Sequence, residues 1–213
     1  MELISLFIDL VLHLDQHLAA LTAAYGPWIY GLLFLIVFCE TGLVVTPFLP
    51  GDSLLFVAGT IAAAGGMDVH VLIVLLIVAA VLGDGVNYAI GARVGPKVFS
   101  DDARFLKREH LDKATAFYLR HGGKTIVLAR FIPIIRTYAP FVAGMAKMPY
   151  RRFLAFNAGG AVLWVASLTY AGFLFGNLPW VKDNLSLVLI GIILLSISPA
   201  IVEYLRARLA RPA

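Results

Sequence analysis

The sequence predicts an all-α polytopic membrane protein: an inverted repeat with two re-entrant helical hairpins, about three full spans and an N-terminal amphipathic helix. Apolar residues make up 61% of its 213 residues, against roughly 45–50% in soluble domains. Charged residues make up only 14%, and the mean hydropathy is +0.89. A water-soluble domain of this length could not bury so many apolar side chains. The same composition excludes a disordered chain, a coiled coil and a disulfide-rich scaffold.

The net charge of +4 is distributed unevenly along the chain. Residues 1–92 contain seven acids and no Lys or Arg, and all 17 basic residues follow from Arg93 onward. Lys and Arg in short loops mark the cytoplasmic side of a membrane protein. The basic charge is therefore interpreted as a topological signal, and no nucleic-acid partner is expected.

Three apolar segments have about the length of a transmembrane helix, namely 69–91, 153–175 and 185–203. Residues 1–25 carry polar side chains at spacings of three and four, which is typical of an amphipathic helix that lies in the interface or crosses the membrane. The whole chain, 1–213, is expected to form one membrane domain. This domain is expected to include a basic cytoplasmic segment over 93–124 and a basic cytoplasmic tail over 204–213.

Two further segments, 28–66 and 125–149, are predicted to enter the membrane and return on the same side, because their apolar arms are too short to span it. The expected breaks are Pro47, Pro50, Gly51, Pro133 and Pro140. If 125–149 crossed the bilayer, the basic segments on either side of it would lie in opposite compartments. A hairpin leaves every basic cluster on one side.

A short repeat supports the pairing of these two hairpins. Phe56–Gly59 and Phe141–Gly144 both read Phe-Val-Ala-Gly, and each follows a Phe-x-Pro peptide and precedes a full span. The charge rule makes the first hairpin open outward and the second inward. Two broken segments of opposite orientation are typical of inverted-repeat transporters, whose site lies where the broken helices meet.

Four ionisable residues lie at the predicted hairpins: Glu40, Asp52, Arg130 and Arg136. Each would cost roughly 2.5–3.5 kcal/mol at the centre of a membrane helix, so they must face one another, water or a ligand. Two structural ion pairs would explain them. Their position near the prolines, where broken helices free backbone N–H groups that bind anions, favours a binding site.

The roles of these residues follow from their side-chain chemistry. The guanidinium groups of Arg130 and Arg136 stay charged and match phosphate in a fork geometry, which predicts binding of an oxyanion headgroup. The carboxyl groups of Glu40 and Asp52 can exchange a proton, which predicts proton coupling. Asp84 is either a structural residue or a proton relay. No cluster of metal ligands and no nucleophile–base pair is evident, so no metal, cofactor or catalytic residue is predicted.

Several motifs occur in a fixed order between residues 26 and 175. They are Glu40-x-Gly42, Pro47–Asp52, Ala58-Gly59, Gly83-Asp84 with Tyr88, Gly91 and Gly95, Arg130–Pro133 with Arg136-Thr137 and Pro140, Ala143-Gly144, and Phe153, Asn157, Gly160 and Trp164. This set resembles the DedA family of bacterial membrane proteins. The resemblance implies an inner-membrane protein of the wider group that includes eukaryotic lipid scramblases, with a role in envelope homeostasis and dependence on the proton-motive force. It also implies that Glu40, Asp52, Arg130 and Arg136 are required for function.

Three functions remain open at this point. The first, which the resemblance implies, is a flippase for a lipid phosphate such as undecaprenyl phosphate or a phospholipid. The second is a proton-coupled transporter of a small ion or anion with indirect effects on lipids. The third is a membrane enzyme acting on lipid phosphates; the signatures of such enzymes are incomplete here, so the protein is predicted not to be an enzyme. The expected partners are a membrane lipid or polyprenyl phosphate, protons and, undecided by the sequence, further copies of the chain in a homo-oligomer.

Overall fold

The computed structural model describes residues 14–43, 51–98, 122–185, 187–192, 194 and 198, and their regular structure is helical, with no strand. The helices are α1 (Leu14–Tyr25), α2 (Trp28–Gly42), α3 (Gly51–Ala63), α4 (Val69–Val98), α5 (Lys124–Ala129), α6 (Pro133–Met145), α7 (Tyr150–Phe175) and α8 (Pro179–Asp183). For these residues the all-α prediction is confirmed. The predictions for the first 13 residues, Pro47, Pro50, most of 93–124 and the tail over 204–213 lie outside the described residues.

Two of the helices are long and apolar enough to cross a membrane. They are Val69–Val94, within α4, and Tyr150–Phe175, which is α7. Each covers 26 residues, which is about 39 Å of helix, against a hydrocarbon core about 30 Å thick. The predicted spans over 69–91 and 153–175 are therefore found as helices. Of the third, 185–203, residues 187–192 are helical, and most of its second half lies outside the described residues.

Helix α4 extends beyond the predicted span. The span is predicted over 69–91, and the helix continues through Arg93 and Pro96 to Val98. A charged side chain does not end a helix, and a proline so near the C-terminus removes only one hydrogen bond. The helix is therefore longer than the apolar segment from which the span is predicted.

Short helices occupy both segments for which hairpins are expected. Helices α2 and α3 have 15 and 13 residues, or about 20–22 Å, which is less than the thickness of the hydrocarbon core. Helices α5 and α6 have 6 and 13 residues. Gly51 is the first residue of α3. All four helices are too short to cross a bilayer unaided.

The chain between α5 and α6 breaks at Arg130–Ile132. Ile132 has extended backbone, with φ −121° and ψ 105°, and Pro133 follows in the first turn of α6. Proline disfavours helical conformation in the residue before it and tolerates the first helical position, where no N–H partner is needed. The sequence therefore locates this break correctly.

Pro140 does not break the chain, and the expectation that it would is wrong. It lies inside the continuous helix α6. Proline removes one backbone hydrogen bond and crowds the carbonyl four residues earlier. Membrane proteins tolerate this in mid-helix, where neighbouring groups satisfy the freed carbonyl. One break, at Pro133, is enough to separate the two helices.

The described residues belong to two compact units, and α2, α4 and α7 each contribute to both. The first unit comprises the described parts of Met1–Phe34, Pro50–Leu75 and Val165–Ala213. The second comprises those of Leu35–Leu49 and Leu76–Trp164.

In the first unit, α3 lies directly against α7 at glycine positions. Gly172 faces the backbone carbonyl of Phe56, and Gly59 faces that of Thr169, so a Cβ atom at either glycine would collide with backbone. Helix α1 also packs against α3. Small residues allow membrane helices to approach this closely.

In the second unit, α6 lies against α4 in a matching way. Gly91 faces the backbone carbonyl of Phe141, and Gly144 faces that of Tyr88. In both units, the phenylalanine carbonyl of a Phe-Val-Ala-Gly peptide faces a glycine of a long helix. The glycine of the peptide faces the carbonyl of the residue three positions before that glycine. The two copies of the repeated peptide share one local packing arrangement.

Candidate functional site

The break between α5 and α6 places Arg130 inside the second unit. Its side chain is 4% exposed. The Nη2 group donates to Oδ2 of Asp84 on α4 and to Oδ1 of Asn157 on α7. Gly160 makes room for this side chain, because a Cβ atom there would lie 3.1 Å from Cδ of Arg130. Arg130 is thus held by an ion pair and a neutral amide.

Arg136 forms a second ion pair in the same unit. It lies in the first turn of α6, with its backbone N–H bonded to the carbonyl of Ile132 at 2.9 Å, and its Nη2 group donates to Oε1 of Glu40 near the end of α2. The two side chains are 9% and 2% exposed. Helix α2 approaches α4 where both carry glycine, since a Cβ atom at Gly42 would lie 3.3 Å from Cα of Gly83.

One indole ring lies beside both arginines. The guanidinium carbon of Arg130 is 5.8 Å, and that of Arg136 5.0 Å, from the ring centroid of Trp164. Trp164 belongs to α7 and is 1% exposed. Distances below about 6 Å are in the range of cation–π attraction.

Two buried asparagines tie the surrounding helices together. Asn87, on α4, donates from Nδ2 to the carbonyls of Thr41 at 3.1 Å and Thr137 at 2.8 Å. These threonines are the chain neighbours of Glu40 and Arg136, so Asn87 positions the backbone on both sides of that ion pair. Asn157 donates to the carbonyl of Val81 at 3.2 Å.

Two polar atoms in this network lack a hydrogen-bond partner among the described residues: Nε of Arg130 and Oδ1 of Asn87. Buried polar groups are almost always hydrogen-bonded, and the exceptions often lie at functional sites. One is a donor on a cation and the other is a neutral acceptor. The second unit therefore retains the capacity to bond a further polar group.

The structure does not place all the charged residues that the sequence singled out in one unit. Glu40, Arg130 and Arg136 lie in the second unit together with Asp84, and two acids face two bases there. Asp84 is hydrogen-bonded to Arg130 and buried, and its relay role stays a prediction.

Asp52 belongs to the first unit. It is 9% exposed and lies in the first turn of α3, where the positive end of the helix dipole favours a carboxylate. Its predicted place in one cavity with Glu40 and the arginines stays a prediction.

Sequence reasoning missed the contacts that Trp164 and Asn87 make around the two ion pairs. Trp164 was part of the motif set, but nothing in its spacing indicates contact with two arginines. Asn87 follows Asp84 by three residues and so lies on the same helix face, which is the one signal that could have identified it. In the described part of the chain, no group of three or more His, Cys, Asp or Glu side chains could hold a metal ion.

Comparison with known proteins agrees with the motifs. The VTT domain family matches residues 49–174. The protein named DedA of Escherichia coli K12 is 56% identical over an alignment of 213 positions, which covers 99% of this chain and 97% of that protein. An uncharacterized membrane protein of Mycobacterium leprae is 44% identical over 78% of this chain and 75% of its own length. The inner membrane protein YghB of Escherichia coli K12 is 35% identical over 80% of this chain and 78% of its own length. No solved structure matches this chain.

A family match over more than half of the chain, together with these identities, shows that the protein belongs to the VTT domain family of DedA membrane proteins.

Proposed function

We propose that this protein moves a lipid phosphate, either a polyprenyl phosphate or a phospholipid, across the membrane, with Arg130 and Arg136 binding the headgroup. The observation that supports this most is the pair of buried guanidinium groups at one helix break, each held by its own carboxylate. A membrane protein has little reason to bury two cations side by side, given the cost of each. A phosphate group carries the charge and the oxygens that two guanidinium groups bind best.

Exchange of partners would couple transport to protons. When phosphate binds an arginine, the carboxylate that held it loses its cation. A carboxylate buried without a cation favours its protonated, neutral form. Glu40, paired with Arg136, and Asp84, paired with Arg130, are both in position for this exchange, and Asp52 keeps its predicted coupling role. One anion and the protons taken up by the carboxylates would then move together, which makes transport dependent on the proton-motive force.

The architecture we propose is an inverted repeat of two re-entrant hairpins, α2–α3 and α5–α6. Two observations support it. Each segment consists of helices too short to span, and the Phe-Val-Ala-Gly peptide of each packs on a long helix through the same atoms. Broken helices of this kind bind substrate where their ends meet.

We propose that the protein lies in the bacterial inner membrane with its basic loops and C-terminus in the cytoplasm. Lys147, Arg151 and Arg152 support this, because they are exposed and cluster at the start of α7, whereas α4 begins without a basic residue. Positive residues of this kind remain on the cytoplasmic side. The other proposed partners are the lipid phosphate and protons, and no enzymatic chemistry is proposed.

A second function, proton-coupled transport of a small anion, is favoured by the burial of the site. Arg130 is 4% and Glu40 3% exposed, and an inorganic anion needs less room than a lipid headgroup. The arginines would act in the same way for both substrates, so the substrate itself must be tested.

The test is reconstitution in vesicles with a proton gradient. Flipping of a fluorescent polyprenyl phosphate or phosphatidic acid, and uptake of radioactive inorganic phosphate, are measured in separate assays. We expect lipid flipping in the parent protein, at a rate that falls when a protonophore is added. Arg136→Ala should abolish it, while Arg151→Ala, which removes an exposed arginine of α7, should not. Phosphate uptake without lipid flipping would establish the second function instead.

A double variant guards against loss of folding. Arg136→Gln with Glu40→Gln removes both charges of one pair and keeps polar side chains of similar size. We expect this protein to fold, because no unpaired buried charge remains, and to be inactive. Flipping at the parent rate in the double variant would refute the role of Arg136.

A further inference from the structure

Trp164 is a neutral contact that the two arginines share, whereas the neutral amide of Asn157 contacts Arg130. The carboxylates of Asp84 and Glu40 each hold one guanidinium group, whereas the indole lies within 5.8 Å of both. It is 1% exposed and belongs to a third helix, α7. A ring of this kind attracts cations through its quadrupole and carries no charge of its own.

The indole becomes most important when the ion pairs open. Two guanidinium groups without their carboxylates would repel each other and turn towards any other acceptor, because their interaction is poorly screened inside the membrane. An aromatic face that attracts both would oppose this movement. It would do so without taking an N–H group away from a phosphate oxygen, because attraction of a cation to the ring needs no hydrogen bond.

We propose that Trp164 is a positioning residue that holds Arg130 and Arg136 in the anion-binding arrangement while Glu40 and Asp84 release them. This inference rests on the proposed function and deepens it. The group it prepares for is an oxyanion with at least two oxygens, such as a phosphomonoester. The buried Nε of Arg130, which lacks a hydrogen-bond partner among the described residues, is a further donor for such an anion.

The proposal predicts a particular effect of pH. Without the indole, both arginines depend more on their carboxylates, so Glu40 on α2 and Asp84 on α4 hold them more firmly and take up protons less readily. Asn157, the neutral partner of Arg130, does not titrate. Transport by Trp164→Leu should therefore be at least about tenfold slower, the equivalent of one desolvated cation–π contact, and its half-maximal pH should move to lower values. A purely structural role of the ring would reduce the rate without moving that pH.

Trp164 can also report on the site directly. The chain has three tryptophans, and the other two, Trp28 and Trp180, are 82% and 68% exposed. Trp28→Phe with Trp180→Phe leaves Trp164 as the single indole emitter. Vesicles of phosphatidylcholine alone, of phosphatidylcholine with phosphatidic acid, and with added inorganic phosphate then serve as probes. We expect a change in emission with phosphatidic acid that is absent when Arg136→Ala is added.

The outcomes separate this inference from the proposed function. If lipid flipping proceeds while Trp164→Leu has the parent rate and pH profile, or while Trp164 emission ignores phosphatidic acid, the inference is wrong and the transport function stands. If the parent protein moves neither lipid phosphate nor inorganic phosphate, the proposed function fails. An emission change with inorganic phosphate alone supports the positioning role and shows that the site binds the free anion.

Two further variants complete the test. Trp164→Phe keeps an aromatic face of weaker quadrupole, so it should fold and show a smaller rate loss with a smaller shift to acid pH. It therefore decides the matter if Trp164→Leu does not fold. Trp180→Leu, an exposed substitution of the same kind, should leave both rate and pH profile unchanged.

Discussion

Removal of the Arg130 side chain should destabilise the second unit strongly, because it leaves Asp84 as an unpaired charge. The two side chains are 4% and 6% exposed, and Arg130 also donates to Asn157. Breaking a buried ion pair by removing one partner costs about 3–5 kcal/mol. For a chain of this length that corresponds to a loss in Tm of about 6–20 °C. Arg151→Ala, at an exposed position, should change stability by less than about 0.5 kcal/mol.

The loss should be recovered when both charges are removed. Arg130→Met with Asp84→Leu replaces the pair by apolar side chains, which is often neutral or stabilising. The two single substitutions should therefore be strongly non-additive, and the double variant should be more stable than either single variant.

The assay is reversible unfolding of the purified protein in detergent, followed by circular dichroism across all four corners of the double-mutant cycle. Additive costs in the cycle, with a loss below about 1 kcal/mol in Arg130→Ala, would refute the reasoning. Such a result would mean that water or another group compensates Asp84.

Three other substitutions test the packing and capping described above. Gly172→Ala places a methyl group against a backbone carbonyl and should destabilise the protein by about 1–3 kcal/mol, measured by thermal unfolding. Asn87→Ala leaves two buried carbonyls without their donor and should cost about 2–4 kcal/mol in the same assay. The pKa of the Asp68 carboxyl is lowered because it accepts hydrogen bonds from the backbone N–H groups of Val71 and His70. Its contribution to stability is therefore complete above its unfolded pKa, about 3.9, and is lost as pH falls through the lower folded value, so the Tm difference between the parent and Asp68→Ala should shrink on acidification.

Each of these has a matched control. Gly159→Ala, on the same helix as Gly172 but with no atom near its added methyl group, should be neutral or stabilising, and an equal loss at both glycines would contradict the packing argument. Asn184→Ala removes an exposed side-chain hydrogen bond and should cost little. Asp68→Asn keeps a helix cap without a titrating group; if its acid sensitivity equals that of the parent, the pKa of Asp68 is not the cause.

The pairing of charges shows where sequence reasoning ends. Arg130, Arg136 and Glu40 were identified because charged residues near prolines in an apolar chain are costly and therefore informative. The sequence does not predict which acid pairs with which arginine: Asp84, predicted as a structural residue or a proton relay, is the acid that binds Arg130. Residues 46 positions apart in the chain meet only through the rotation and depth of two helices, which no local pattern records.

Composition and local pattern are enough to predict the membrane class, the two long helices and the break before Pro133. These depend on composition, on the length of apolar segments and on the fixed φ of proline, all of which are local properties. The predicted break at Pro140 is wrong, because helix α6 continues through that proline.

Helix packing determines which acid binds which arginine and brings Trp164 beside both arginines. It also brings Asn87 to the backbone next to Glu40 and Arg136. Such contacts follow from how glycine-lined helices approach each other, and a displacement of one helix turn, about 5.4 Å, would replace every partner. A charged side chain inside a membrane is unfavourable wherever it lies, so the sequence predicts that it is paired. The packing of the helices determines which partner it has.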